Sequence, residues 1–155
     1  MQDEKFMLEA LKEARIAAEA GEMPVGCIIE MDGEIIARAH NECEAAHDPT
    51  AHAEILAIRR AAAAVGGWRL DKATLYVTLE PCPMCAGAIM QGRLKQLVFG
   101  APDPGQGCAG SLYRITEDPA FPHFCPSHGG VMEPECTGIM KDFFARLRMK
   151  HLPKE

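Results

Sequence analysis

Between Asp3 and Gly21 the apolar residues Met7, Leu11, Ala14 and Ala18 recur at intervals of four, three and four, leaving charged residues on the other faces. That spacing predicts a helix with one buried stripe, with Asp3 placed to cap it and Gly21 to end it. Val25 to Met31 is a short, nearly unbroken apolar run, and Glu34 to His40 returns after Asp32-Gly33, a dipeptide suited to a two-residue hairpin turn. Two antiparallel strands are expected there. A polar loop from Asn41 to Pro49 then leads to Thr50, a good N-cap for a helix through Ala64 to the Gly66-Gly67 stop.

Thr74 to Leu79 is rich in β-branched and aromatic residues and predicts a central strand that delivers the chain to Pro81. A helix from Pro83 to Gln91 and a strand from Gln96 to Gly100 follow. The order strand, helix, strand, helix, strand implies right-handed crossovers and a partly parallel sheet with helices on both faces. Ala101 to Gly110 is a Pro/Gly-rich loop, Ser111 can cap a brief helix, and Asp118 to Gly130 is irregular, as expected of a lid or a surface excursion. Gly130 to Met132 is expected as a short edge strand. Pro134 opens a final helix on which Met140, Phe143, Phe144 and Leu147 form one apolar stripe. With no repeat or linker, residues 1–155 are expected to form a single α/β domain, three layers deep (α/β/α), around a mixed central sheet of about five strands.

Composition changes this picture little. The 155 residues are 48% apolar and 25% charged, ordinary for a globular protein. No stretch of eighteen apolar residues and no basic-then-apolar leader is present, so no membrane partner and a cytoplasmic location are expected. Seven Cys without regular spacing fit reduced thiols plus a metal pair better than an oxidised framework. A net charge of −6 argues against generic nucleic-acid binding. Its distribution qualifies that, because Lys141, Arg146, Arg148, Lys150 and Lys154 cluster at the end of the chain against only Asp142 and Glu155. Such a run suits either a phosphate contact or a solvated helix end.

Chemistry enters at His52-Ala53-Glu54, answered thirty residues later by Pro81-Cys82-Pro83-Met84-Cys85. One His, two Cys at an i, i+3 spacing and a nearby Glu are the parts of a three-ligand zinc site that keeps a position open for water. Both sulfurs can face one side of a first helical turn, where unpaired N–H groups favour thiolates. Two thiolates and a neutral imidazole largely cancel the zinc charge, so the water needs a base beside it, and Glu54 is placed to be that base. The rival reading is structural: Cys27, Cys43, Cys108, Cys125 or Cys136 could supply a fourth ligand and close the site. His-x-Glu with Pro-Cys-x-x-Cys nevertheless matches the signature of the zinc deaminases.

The flanking words carry a closer likeness. Met23-Pro24-Val25-Gly26, His47 through Ile55, Thr74 through Ala88, the Gly107 to Leu112 loop and Asp142-Phe143-Phe144 together resemble the bacterial tRNA adenosine deaminases (the TadA family) of the cytidine-deaminase-like fold. The resemblance implies His52, Cys82 and Cys85 as ligands of one Zn2+ per chain, and Glu54 as proton shuttle. It also implies Asn41 and His123 as substrate contacts. The family's usual Asn before that His is Pro122 here, and where the family commonly has a Lys two positions after the Asp, Gly105 follows Asp103 and Pro104. The implied activity is hydrolytic deamination of the wobble adenosine (A34) of a tRNA anticodon arm to inosine, by a homodimer. A small-molecule deaminase acting on guanine, cytosine or a nucleoside, and a non-catalytic structural-zinc module, remain the alternatives.

Overall fold

The computed structural model describes residues 2–150. Lys154 and Glu155, part of the basic C-terminal run, lie outside the described residues. The chain runs α1 (Gln2–Glu19), β1 (Gly26–Met31), β2 (Glu34–His40), α2 (Cys43–Ala46), α3 (Ala53–Val65), β3 (Ala73–Leu79), α4 (Pro83–Gln91), β4 (Gln96–Ala101), a single 3-10 turn at Ile115–Glu117, β5 (Ser127–His128) and α5 (Glu133–Lys150). One five-stranded sheet has the order β2-β1-β3-β4-β5. β1 pairs antiparallel with β2 and β3, whereas β3, β4 and β5 are parallel, so the sheet is mixed.

Strand periodicity sorts the core into two layers. Ile28, Tyr76 and Val98 stand opposite one another along the register and pack against Phe6, Met7, Ala10 and Leu11 of α1 and Cys136 of α5. Their neighbours Cys27, Ile29, Leu75, Val77, Leu97 and Phe99 point the other way, onto Ala53, Ala57 and Ala61 of α3 and Ile89 and Met90 of α4. Both faces of the sheet are thereby covered. The hairpin between β1 and β2 turns at Asp32 (φ 55°) and Gly33 (φ 85°), two positive values that match the right-handed strand twist. Glu30 Oε1 accepts a hydrogen bond from the Gly33 N–H at 2.6 Å and closes that turn.

Four local expectations are corrected. The loop after Asn41 contains the one-turn helix α2, because the buried Glu22 carboxylate accepts the N–H groups of Glu44 (2.9 Å) and Ala45 (2.8 Å). Thr50 does not cap α3; its N–H and hydroxyl both bond to Asp48 Oδ1, and His52 occupies the cap position. The edge strand is Ser127–His128, paired with Leu97 and Val98, while Gly130 to Met132 turns into α5. Ser111 caps no helix and bonds instead to Glu80. The apolar stripe on α5 is only partly covered: Cys136 alone is fully buried, Met140, Phe143 and Leu147 are half-buried, and Phe144 is exposed.

Candidate active site

Two helices begin at one point. His52 precedes α3 with extended backbone (φ −75°, ψ 152°), and Cys82 precedes α4 in the same conformation (φ −74°, ψ 175°). Neither cap residue bonds its own helix through its side chain. Both side chains turn toward each other instead, and Cys85, three residues on, joins them from the first turn of α4. Side chains at the cap and the third helical position converge, as they do when a helix caps itself; here the convergent atoms are sulfurs. Pro83 occupies the first position of α4, where an N–H would have no partner.

His52 Nδ1 lies 3.6 Å from Cys82 Sγ and 3.5 Å from Cys85 Sγ, and the three ligand atoms all fall within 4.8 Å of one another. Tetrahedral zinc with Zn–S of about 2.3 Å and Zn–N of about 2.05 Å places N and S roughly 3.6 Å apart. The donor set and its spacing therefore fit such an ion. The three groups interact closely: the hydrogen bond from Cys85, against burial, holds the Cys82 thiol down to about 4, and the bond to Cys82 together with burial pushes Cys85 far above the ordinary thiol range. His52 is raised by its bond to Cys82. None of the other five cysteines lies with this trio: among the described residues the only cluster able to hold a metal is His52, Cys82 and Cys85.

Glu54, 4% exposed, sits beside the trio, and burial pushes its carboxyl up to about 7. A cleft of about 160 Å³ opens onto His52, Cys82 and Glu54, with Met23, Val25, Asn41, Leu79, Asp103 and Gln106 in its walls. This is far smaller than a drug-sized pocket and suits one planar base. It continues into an apolar groove of about 420 Å³, which shares Met23, Leu79, Asp103 and Gln106 with the cleft and reaches Met140 and Phe144 of α5. Asn41 is 8% exposed, and its Oδ1 accepts the buried N–H of Ala53 at 2.7 Å, supplying from outside the helix the cap that His52 withholds. The bond fixes the amide with its Nδ2 turned away from Ala53.

His123 is not brought to this cleft: its Nε2 bonds to the Leu94 carbonyl at 2.8 Å, beyond the end of α4, so within one chain it serves the loop. Glu80, 2% exposed, lines the cleft and escaped the sequence reading. Burial pushes its carboxyl up, but the bonds from Ser111, Asp103 and Ala109 outweigh that and hold it below the usual range. The available signal was an acid between an apolar strand and Pro81, where a charge has to be buried and therefore bonded.

The MafB19-like deaminase family matches residues 1–148. The tRNA-specific adenosine deaminase of Bacillus subtilis is 52% identical over 149 residues, covering 96% of this chain and 92% of its own. A structure from work on A-to-I editing by tRNA:A34 deaminases at the wobble position of transfer RNA superposes with a TM-score of 0.84 at 45% identity, over 87% of this chain and 98% of that one. A guanine deaminase from Nitrosomonas europaea shares the fold, with a TM-score of 0.79 over 92% of this chain and 84% of that one, at only 21% identity. The chain belongs to the MafB19-like deaminase family and, at these identities, to its tRNA-specific adenosine deaminase relatives.

Proposed function

We propose that this chain is a single zinc-dependent deaminase domain that converts the wobble adenosine of a tRNA anticodon arm to inosine by hydrolysis. The observation that carries the reading is the base-sized cleft lined by His52, Cys82 and Glu54, with Cys85 beside them in the trio and an apolar groove leading from the cleft toward α5. A base flipped from a single strand enters such a cleft while the flanking nucleotides remain outside. A free base would have no use for the groove. The relatives at 45–52% identity are named for this substrate, whereas the guanine deaminase likeness is one of fold.

His52, Cys82 and Cys85 would hold one zinc ion, which when bound would lower the pKa of water part of the way, leaving Glu54 as the base that completes its activation. Glu54 takes the proton released as water oxygen bonds to purine C6 and delivers it to the ring; it then takes the second proton from that oxygen as C6=O forms and gives it to the exocyclic nitrogen, which leaves as ammonia when the C6–N bond breaks. A buried carboxyl raised toward neutrality exchanges a proton in both directions, as this requires. Asn41, its Oδ1 held by Ala53, directs Nδ2 donors at an acceptor nitrogen of the base.

We further infer a homodimer in the cytoplasm. Met84, Leu112, Tyr113, Phe121 and Phe124 are large apolar side chains exposed on α4 and the loops that follow it, and all seven cysteines are free thiols. Among the described residues no helix is long and apolar enough to cross a membrane. The deciding experiment offers the purified protein anticodon stem-loops with adenosine at the wobble position beside free purines, pyrimidines and nucleosides. Inosine is expected in the stem-loop alone. Turnover of a free base with the stem-loop untouched would overturn the substrate assignment, and sedimentation velocity tests the dimer.

A further inference from the structure

Glu80 ends the strand that leads into the metal ligands, and its carboxylate is buried without an ion-pair partner among the described residues. Four donors satisfy it. Oε1 accepts the Asp103 N–H at 3.0 Å and the Ser111 hydroxyl, and Oε2 accepts the N–H groups of Ala109 (3.0 Å) and Ser111 (2.9 Å). These donors come from both ends of the loop of residues 102–111, which wraps around the carboxylate. Gly107 passes so close that a Cβ there would lie 2.3 Å from the Glu80 carboxyl carbon. The Cys108 N–H bonds to the Pro81 carbonyl at 2.8 Å, and the Glu80 N–H to Ala101 at 2.9 Å. The loop and Cys82 thus stand on the same two residues, Glu80 and Pro81.

From this arrangement we propose that Glu80 is a positioning residue for substrate: it holds the 102–111 loop as one wall of the cleft at a fixed distance from the metal ligands and Glu54. The proposal rests on the reading above, in which a flipped base of an RNA loop enters that cleft. Asp103 and Gln106, the two wall residues, belong to the clamped segment, and they also line the groove that receives the flanking strand. A charged, four-fold acceptor at the loop's centre gives a rigid wall with no apolar core of its own. Loosening the clamp widens the cleft and misplaces the strand without touching the groups that activate water.

Glu80→Gln is the test, because it keeps the volume and removes one acceptor. Turned one way, its NH2 faces the Asp103 N–H; turned the other way, it faces both Ala109 and Ser111. Amide exchange of the 102–111 segment is expected to quicken by about tenfold or more, while residues 83–91 exchange as in the parent. Zinc content is expected to stay equal to the parent's, with kcat for the stem-loop within about threefold and KM raised about tenfold or more. Unchanged loop exchange, or a loosened loop with unchanged KM, overturns the proposal. Loss of zinc, or a fall in kcat at constant KM, also overturns it by making Glu80 a support for the ligands. A parent inactive on the stem-loop refutes the substrate reading instead, and loop exchange alone then decides whether the clamp exists. If Glu80→Gln fails to fold, Ser111→Ala, which removes one of the four bonds, is judged by the same measurements, with shifts of about threefold.

Discussion

Asn41 caps α3 through Oδ1, and its proposed hold on the base runs through Nδ2, so two substitutions separate the two roles. Its Oδ1 is the acceptor for the N–H of Ala53, which is fully buried at the start of α3, between His52 and Glu54. Asn41→Ala leaves that N–H without a partner, and an unsatisfied buried donor at a helix start costs about 1–3 kcal/mol. For a chain of this length the melting temperature should fall by roughly 3–10 °C. Asn41→Asp keeps the acceptor and adds a negative charge where the helix end favours one, so its melting temperature should stay within about 2 °C of the parent. What Asp cannot do is donate through Nδ2. If that donor holds the base, Asn41→Asp loses about 1–3 kcal/mol of transition-state binding, roughly 5- to 150-fold in kcat/KM. Differential scanning calorimetry and steady-state deamination of an anticodon stem-loop read the two effects separately. Parental kcat/KM in Asn41→Asp would remove Asn41 from the substrate, and an unchanged melting temperature in Asn41→Ala would show that Ala53 finds another acceptor.

The remaining predictions concern the metal, the proton, the RNA and the core. The purified protein should carry about one zinc per chain; Cys82→Ala should lose both metal and activity, while Glu54→Ala keeps the metal and loses about 10²–10⁴-fold in turnover, checked by metal analysis beside kinetics. Replacing Arg146, Arg148 and Lys150, all exposed near the end of α5, with Ala should lower the salt dependence of stem-loop binding by about 0.7 for each phosphate no longer neutralised, with melting temperature measured in parallel. An unchanged slope in a stable variant would take α5 off the RNA surface. Leu75, fully buried between β1 and β4, should cost about 2–5 kcal/mol when cut to Ala, measured by urea unfolding of the zinc-loaded protein.

The parts of this fold that could be read in advance are those in which a local pattern and a tertiary demand coincide. Thr74 to Leu79 is apolar on both faces because helices cover both, so a nearly continuous run of β-formers meant a central strand. Cys82 and Cys85 stand three apart because the first turn of α4 brings those positions together. Most of the misses are interactions made over long stretches of chain. Helix α2 exists because of Glu22, some twenty residues upstream, and β5 is a Ser-His dipeptide with no strand signal, recruited by the free edge of Leu97 and Val98. Thr50 has the chemistry of a cap but is taken by Asp48, while Asn41 does the capping from the end of β2. The bond from His123 Nε2 to the Leu94 carbonyl is likewise a contact that no local pattern announces.

The shallow seating of α5 bears on how such an enzyme changes its diet. Only Cys136 of this helix is fully buried, yet Met140 and Phe144 line the groove beside the cleft. The groups proposed to activate water stand at the starts of α3 and α4, whose core layer α5 meets through the half-buried Met140, while Cys136 belongs to the other layer. Substitutions along the outer half of α5 can therefore accumulate, or the segment can be exchanged for that of a relative, with little penalty to folding as long as Met140 is kept. Selection can retune which molecule is gripped while leaving untouched what is done to it, and a grafting experiment should find this helix the most permissive place to begin.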